Sequence, residues 1–184
     1  MKVAFLDRDG VINRDIGYLY EWKKFEYLES VKLALKKLIK ENYHLIIVTN
    51  QSGIARGYYT EQDFQKLNVV MQEDLKKSGI DLLDILYCPH YLRGRVKQYA
   101  VSCNCRKPKP GLFLQAFEKY NIEIDKSVMF GDQESDMDAS KAAGIQHRFI
   151  IGDHSISNSA LGSFDNLKHA VNRFLILVNR VKND

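Results

Sequence analysis

Val3-Ala4-Phe5-Leu6-Asp7-Arg8-Asp9-Gly10-Val11-Ile12-Asn13 is the stretch that decides the fold. Its first four residues are apolar without a break, the mark of a strand buried on both faces of a parallel sheet. The run stops on Asp7, Asp9 follows two residues later, and Gly10 lets the backbone turn away sharply. In an open α/β sheet, ligands gather in the crevice at the carboxyl ends of the strands, so both acids belong to one site. Two close carboxylates repel unless a proton or a cation lies between them. Mg²⁺ suits such a place, because it takes one or two carboxylates and completes its shell with water and phosphate oxygens.

Downstream, the run His44-Leu45-Ile46-Ile47-Val48 leads into Thr49-Asn50-Gln51-Ser52-Gly53-Ile54-Ala55-Arg56-Gly57. A threonine at a strand end, in a loop with two glycines, suits phosphate held by a hydroxyl and backbone N–H groups. Further strands are expected over 83–87, 128–130 and 147–151. The fourth runs into Gly131-Asp132-Gln133-Glu134-Ser135-Asp136.

Between the strands lie helical patterns. Ser30 is placed to cap a helix to about residue 41 with Val31, Leu35, Leu38 and Ile39 inward. Thr60 and Asp63 have the spacing of a capping box, ahead of a stripe of Phe64, Leu67, Val70, Met71 and Leu75 that Gly79 ends. Pro110 suits the first turn of a helix carrying Leu112, Phe113, Ala116 and Phe117. Asp165 is placed to cap the last helix, with Leu167, Val171, Phe174, Leu175 and Val178 inward. This alternation predicts an α/β fold, a Rossmann-like parallel sheet covered by helices on both faces, with residues 1–184 as a single domain. The loop over 14–29 is rich in aromatics. Its segment Asp15-Ile16-Gly17-Tyr18 follows the acidic turn closely enough to touch a substrate.

The net charge of +4 suits a small anionic substrate and does not call for nucleic acid. No run of about 18 apolar residues is present, so no membrane span or membrane partner is expected. With a strand at the start and no leader pattern, the expectation is a cytoplasmic monomer. All three cysteines fall within residues 88–105. An odd, clustered set in such a chain argues for metal rather than disulfides. Cys88-Pro89-His90 and Cys103-Asn104-Cys105 supply two ligand pairs across a loop of twelve residues, a Cys₃His set for tetrahedral Zn²⁺. With four protein ligands the site is closed, hence structural. It is followed at once by Arg106-Lys107-Pro108-Lys109-Pro110-Gly111, so an anchored loop over 88–105 would set two cations beside the phosphate site.

Taken together, Asp7-x-Asp9, Thr49-Asn50-Gln51-Ser52, Arg106-Lys107 and Gly131-Asp132-x-x-x-Asp136 resemble, in order, the motifs of the haloacid dehalogenase superfamily of phosphatases. The zinc loop narrows this to a branch holding the bacterial D-glycero-D-manno-heptose 1,7-bisphosphate phosphatases and the histidinol-phosphate phosphatases. The long gap between His90 and Cys103 favours the heptose enzymes. The resemblance implies Asp7 as nucleophile and Asp9 as acid/base. It implies Mg²⁺ held by Asp7, the Asp9 carbonyl and Asp132, with Thr49 and Lys107 on the phosphoryl group. Arg106 would take the other phosphate of a small sugar bisphosphate, and Asn50, Gln51, Ser52 and Gln133 would line its site. Many heptose phosphatases carry Lys where this chain has Gln133. The gaps between motifs leave no room for a large cap domain. Two alternatives stand beside this reading: a histidinol phosphatase, and a non-catalytic, zinc-stabilised module that binds an anion through the basic loop.

Overall fold

The computed structural model describes residues 1–152 and 159–180. A domain extent of 1–184 therefore includes residues 153–158 and 181–184, which lie outside the described residues. Among the described residues six strands form one sheet: β1 (Lys2–Leu6), β2 (Tyr43–Asn50), β3 (Asp84–Cys88), β4 (Val128–Gly131), β5 (His147–Ile151) and β6 (Ser163–Phe164). Their order is β3-β2-β1-β4-β5-β6 and every pairing is parallel. The chain reverses its direction of travel across the sheet between β1 and β4. That switch point is where an open α/β sheet presents its ligand crevice.

Alternation along the strands divides the core. Ala4 and Leu6 face one side with α1 (Val31–Lys40), α3 (Glu61–Lys77) and α6 (Leu167–Arg180). Val3 and Phe5 face the other, against Leu112, Phe113 and Ala116 of α4 (Gly111–Lys119) and Met137 and Ala139 of α5 (Glu134–Ala142). Burying each of the larger of these side chains, such as Leu6, Phe5 or Phe113, stabilises the fold by roughly 1.5–3 kcal/mol, which fixes the strand ends and so the loops on them. The haloacid dehalogenase-like α/β architecture read from the sequence is therefore present, with helices on both faces.

Several local expectations need correction. Ser30 precedes α1 with φ +63° and makes no side-chain cap, because a left-handed residue cannot offer its hydroxyl as an extended N-cap does. Val70 is exposed, and Asn68 holds the inward position, which falls in the same helical row as Phe64, Met71 and Leu75. The last helix is capped by Asn166 rather than Asp165: its Oδ1 accepts from His169 N at 3.0 Å. A short helix, α2 (Ser52–Arg56), occupies what reads as a glycine loop. The two-residue β6 is too short to leave a periodic signal. The capping box at Thr60 and Asp63 is present as expected.

Candidate active site

Asp7 extends β1 by one sheet hydrogen bond, its N–H donating to Phe130 O on β4 at 2.9 Å. The chain then folds back tightly: the Arg8 carbonyl accepts from the N–H groups of Val11, Ile12 and Asn13. Gly10 sits in this turn at φ +83°, and a Cβ there would lie 2.3 Å from Asp132 Oδ2. Only glycine lets the turn approach Asp132 from β4 so closely. The carboxylates of Asp7, Asp132 and Asp136 thereby each bring an oxygen within 4.8 Å of the others.

Among the described residues, the cation that serves this acidic group is Lys107. Lys107 Nζ lies 3.1 Å from Asp7 Oδ1 and 2.5 Å from Asp136 Oδ1, and donates to Val48 O at 2.8 Å. Asn50 positions it by clamping its backbone, accepting from Lys107 N and donating to Lys107 O, both at 3.1 Å. Burial raises the Asp7 carboxyl well above its usual range; Lys107 opposes that rise, and Asp136, Asp132 and Asp9 add to it. For Lys107, burial disfavours the charge, but Asp136 and Asp7 outweigh it and hold the ammonium above its ordinary value. Asp132 is pushed up to about 6, burial being the main cause. Its Oδ1 is buried without a hydrogen-bond partner, while Gln133 Nε2 donates to Oδ2 at 2.9 Å. A buried, unpartnered carboxylate oxygen facing another carboxylate is what a hard divalent cation satisfies.

Asp9 is held by a separate network. Arg8, fully buried, donates through Nε and Nη2 to both its oxygens at 2.9–3.3 Å. Asn13 Nδ2 reaches Oδ1 at 2.9 Å and Gln51 Nε2 reaches Oδ2 at 3.1 Å. Gln51 also donates to Thr49 Oγ1 at 2.8 Å, which ties the two strand ends together.

These groups open into a cavity of about 370 Å³ at the carboxyl edge of the sheet. Of the residues expected from sequence, Asp7, Asp9, Asp15, Gly17, Tyr18, Thr49, Asn50, Gln51, Ser52, Lys107, Asp132 and Gln133 line it. Ile16 and Arg106 do not. Ile16 is exposed, and the Arg106 guanidinium lies over the Tyr91 ring, 5.5 Å from its centroid, with Nη1 3.4 Å from His90 O. Gly53 of the glycine loop also lines the cavity, and Tyr59 and Ser135 join it without a signal in the sequence pattern. Asp136 belongs to the Gly131-Asp132-x-x-x-Asp136 motif without a role read from it; a carboxylate one helical turn after Asp132 is its signal in the sequence. Arg8 is another site residue to which the motif assigns no role; a base between two acids just past a buried strand is its signal in the sequence.

The Cys/His cluster lies beside this edge. Sγ of Cys88 is 3.6 Å from Cys103 Sγ and 3.1 Å from Cys105 Sγ, and His90 Nδ1 is 3.7 and 3.3 Å from Cys88 and Cys105. These are far outside a disulfide length of about 2.05 Å. The Cys88–Cys103 separation is close to the edge of about 3.8 Å that Zn–S bonds of about 2.3 Å give a tetrahedron, while Cys88 and Cys105 lie closer together than that edge. The Cys105 thiol is pushed down to about 5, first by its hydrogen bond with Cys88 and then, against burial, by those with His90 and Cys103. Glu61 adds a second anchor, accepting from Tyr87 OH at 2.5 Å and from Tyr99 OH, within the 88–105 loop, at 2.6 Å. Among the described residues, no helix is long and apolar enough to cross a membrane.

Residues 2–164 match the profile of the polynucleotide kinase 3 phosphatase family. The chain belongs to this family. Among curated relatives, the D-glycero-alpha-D-manno-heptose-1,7-bisphosphate 7-phosphatase of Photorhabdus laumondii is 48% identical over 151 residues, covering 82% of each chain. The D-glycero-beta-D-manno-heptose-1,7-bisphosphate 7-phosphatase of Pasteurella multocida is 45% identical over 82% of this chain and 81% of that one. Among solved structures, a candidate HAD-like phosphatase from Mesorhizobium loti superposes with a TM-score of 0.86 at 27% identity, over 97% of this chain and 86% of that one. The D,D-heptose 1,7-bisphosphate phosphatase of B. bronchiseptica, complexed with magnesium and phosphate, shares the fold with a TM-score of 0.82 at 24% identity, over 96% and 99% of the two chains.

Proposed function

We propose that this chain is a Mg²⁺-dependent phosphoric monoester hydrolase that removes the 7-phosphate of D-glycero-D-manno-heptose 1,7-bisphosphate and leaves heptose 1-phosphate. The observation that carries this reading is Asp7 at the floor of a polar cavity, with Lys107 on one side and the unpartnered Asp132 oxygen on the other. Relatives 42–48% identical that bear the heptose bisphosphate 7-phosphatase name support the substrate.

Asp7, Asp132 and the Asp9 carbonyl would hold Mg²⁺, which when bound offsets the charge on the phosphoryl oxygens and on the carboxylates. A carboxylate oxygen of Asp7 attacks phosphorus in line, and the bond from phosphorus to the sugar oxygen on C7 breaks. Asp9 gives its proton to that leaving oxygen. In the second half, Asp9 takes a proton from the water that attacks phosphorus, phosphate departs and the Asp7 carboxylate returns. Thr49 and Lys107 hold the transferred phosphoryl group throughout. Cys88, His90, Cys103 and Cys105 would hold Zn²⁺ as a structural ion, and Arg106 would receive the 1-phosphate. The product suits nucleotide-heptose formation for a surface glycan such as the lipopolysaccharide core. The reading is of a cytoplasmic monomer whose partner is the sugar phosphate, with neither nucleic acid nor membrane.

Phosphate release with Mg²⁺ should be measured for both heptose bisphosphate anomers, histidinol phosphate and a 3′-phosphorylated oligonucleotide. The expected result is metal-dependent turnover of a heptose bisphosphate above the others, with the 1-phosphate retained. Preference for histidinol phosphate or the oligonucleotide, or no turnover at all, overturns the reading.

A further inference from the structure

A fully buried arginine is costly unless its charge is paired and its donors are used. Arg8 lies between the two acids of the catalytic turn: its backbone N–H donates to Asp7 Oδ1 at 2.7 Å, but among the described residues its guanidinium forms its ion pair with Asp9, while Asp7 has Lys107. The two cations are thus divided, one to each carboxylate. The Arg8 fork meets both Asp9 oxygens, and Nη2 also donates to Leu19 O at 3.1 Å and to Gln51 Oε1 at 3.4 Å. Gln51 in turn donates to Asp9, so the carboxylate is braced directly and through a neighbour. Nη1 is buried without a hydrogen-bond partner, so the side chain is not arranged to satisfy all its own donors. What it does satisfy is the orientation of Asp9. The Phe64 ring, 5.5 Å from the guanidinium carbon, backs it from the core side.

We infer that Arg8 is a positioning residue for Asp9: its planar fork fixes the carboxylate that exchanges protons with the leaving group and with water, and its bond to Leu19 O ties that carboxylate to the loop rimming the cavity. This rests on the reading of Asp9 as the acid/base. A planar, five-donor guanidinium can hold both oxygens in one plane, whereas a lysine supplies charge without that geometry. Proton transfer depends on this, because a displacement of about 1 Å can cost on the order of 10²-fold in rate.

The test compares kcat/KM for two esters with Mg²⁺ present. The alkyl ester of heptose bisphosphate needs a proton on its leaving oxygen; para-nitrophenyl phosphate, with a good leaving group, needs it far less. Arg8→Lys keeps charge and approximate size, and Arg8→Met removes the donors. Arg8→Met is expected to lower the alkyl value by roughly 10²-fold, the scale of a lost general acid. The aryl value should fall by much less, and Arg8→Lys should lie between wild type and Arg8→Met. In an Asp9→Asn background, Arg8→Lys should add little. Equal losses for both esters in a folded Arg8→Lys, checked by thermal unfolding, would make Arg8 a purely structural ion and overturn the inference, as would full additivity with Asp9→Asn. If Arg8→Met does not fold, Arg8→Lys carries the comparison. An Asp9→Asn enzyme with no bias against the alkyl ester would remove the acid/base reading itself, and this inference with it.

Discussion

Lys107 Nζ lies 3.1 Å from Asp7 Oδ1, with Asp136 2.5 Å from the same ammonium on its other side. An ion pair this buried adds little net stability, since desolvation cancels most of its attraction. What the arrangement achieves is chemical. The ammonium opposes the rise that burial imposes on the Asp7 carboxyl, at the place where a phosphoryl dianion must approach, and Asp136 keeps the ammonium in place.

Asp7→Asn should therefore abolish turnover without unfolding the chain, because the Lys107–Asp136 pair survives the change. Phosphate release measured beside thermal unfolding checks this. Full activity in a clean Asp7→Asn preparation would end the aspartyl-phosphate mechanism.

Proton competition should govern the metal. Asp132 is pushed up to about 6, mainly by burial, and Asp7 is raised as well. Mg²⁺ needs both ionised, so its apparent affinity should weaken as pH falls through about 6, by up to about tenfold per unit for one competing proton. The sign for stability is opposite. A folded-state pKa raised above the unfolded carboxylate value of about 3.9 contributes stability to the metal-free protein below about pH 4, lost as pH rises through about 6. Calorimetric Mg²⁺ titrations at about pH 5 and about pH 8 would show the linkage; equal affinities would refute it.

For the cysteine cluster, elemental analysis should find about one zinc per chain. Chelation should loosen the 88–105 loop and lower activity while Mg²⁺ dependence persists. The Glu61 contacts to Tyr87 and Tyr99 should keep the loop from detaching fully. Proteolysis of the loop with and without chelator reads this out. Unchanged stability and turnover in zinc-free protein would reduce the cluster to packing.

The strands were legible because a parallel sheet buried on both faces leaves uninterrupted apolar runs, and their ends named Asp7, Thr49 and Asp132. The cysteines could be grouped because nothing else in the chain competes with them. Short or tertiary features were not legible. β6 has two residues, α2 five, and the left-handed backbone of Ser30 leaves no mark in the residue pattern. Nor does sequence say where a long side chain ends: adjacent Arg106 and Lys107 diverge, one to the Tyr91 ring and the other to Asp7.

Gly131 offers a packing test of the same centre. A Cβ there would lie 2.3 Å from the Asp136 Cβ, an atom that can retreat only if the first turn of α5 moves. Gly131→Ala should cost about 1–3 kcal/mol of stability, the scale of overpacking. By displacing Asp136 it should also release Lys107 and lower kcat. Denaturant unfolding and steady-state kinetics check both; a neutral variant would mean that Asp136 has freedom the packing denies it.

The divergence of Arg106 and Lys107 leads to the sharpest prediction about the substrate. A bisphosphate presents two esters, and the one cut is whichever reaches Asp7. The primary 7-phosphate sits on an exocyclic carbon and enters a narrow crevice more readily than the ring-attached 1-phosphate. The 1-phosphate then needs a cation farther out. Arg106 stands outside the catalytic cavity, next to Cys105, and no carboxylate pairs with it among the described residues. It can offer a bidentate clamp. Arg106→Ala should cost the bisphosphate about 2–3 kcal/mol in kcat/KM, the scale of a lost charge-assisted contact, and leave a monophosphate nearly unaffected. Lys107→Ala should harm both substrates alike, since the transferred group is common to them. Equal losses for both substrates in Arg106→Ala, or release of the 1-phosphate by the wild type, would exclude this division of labour.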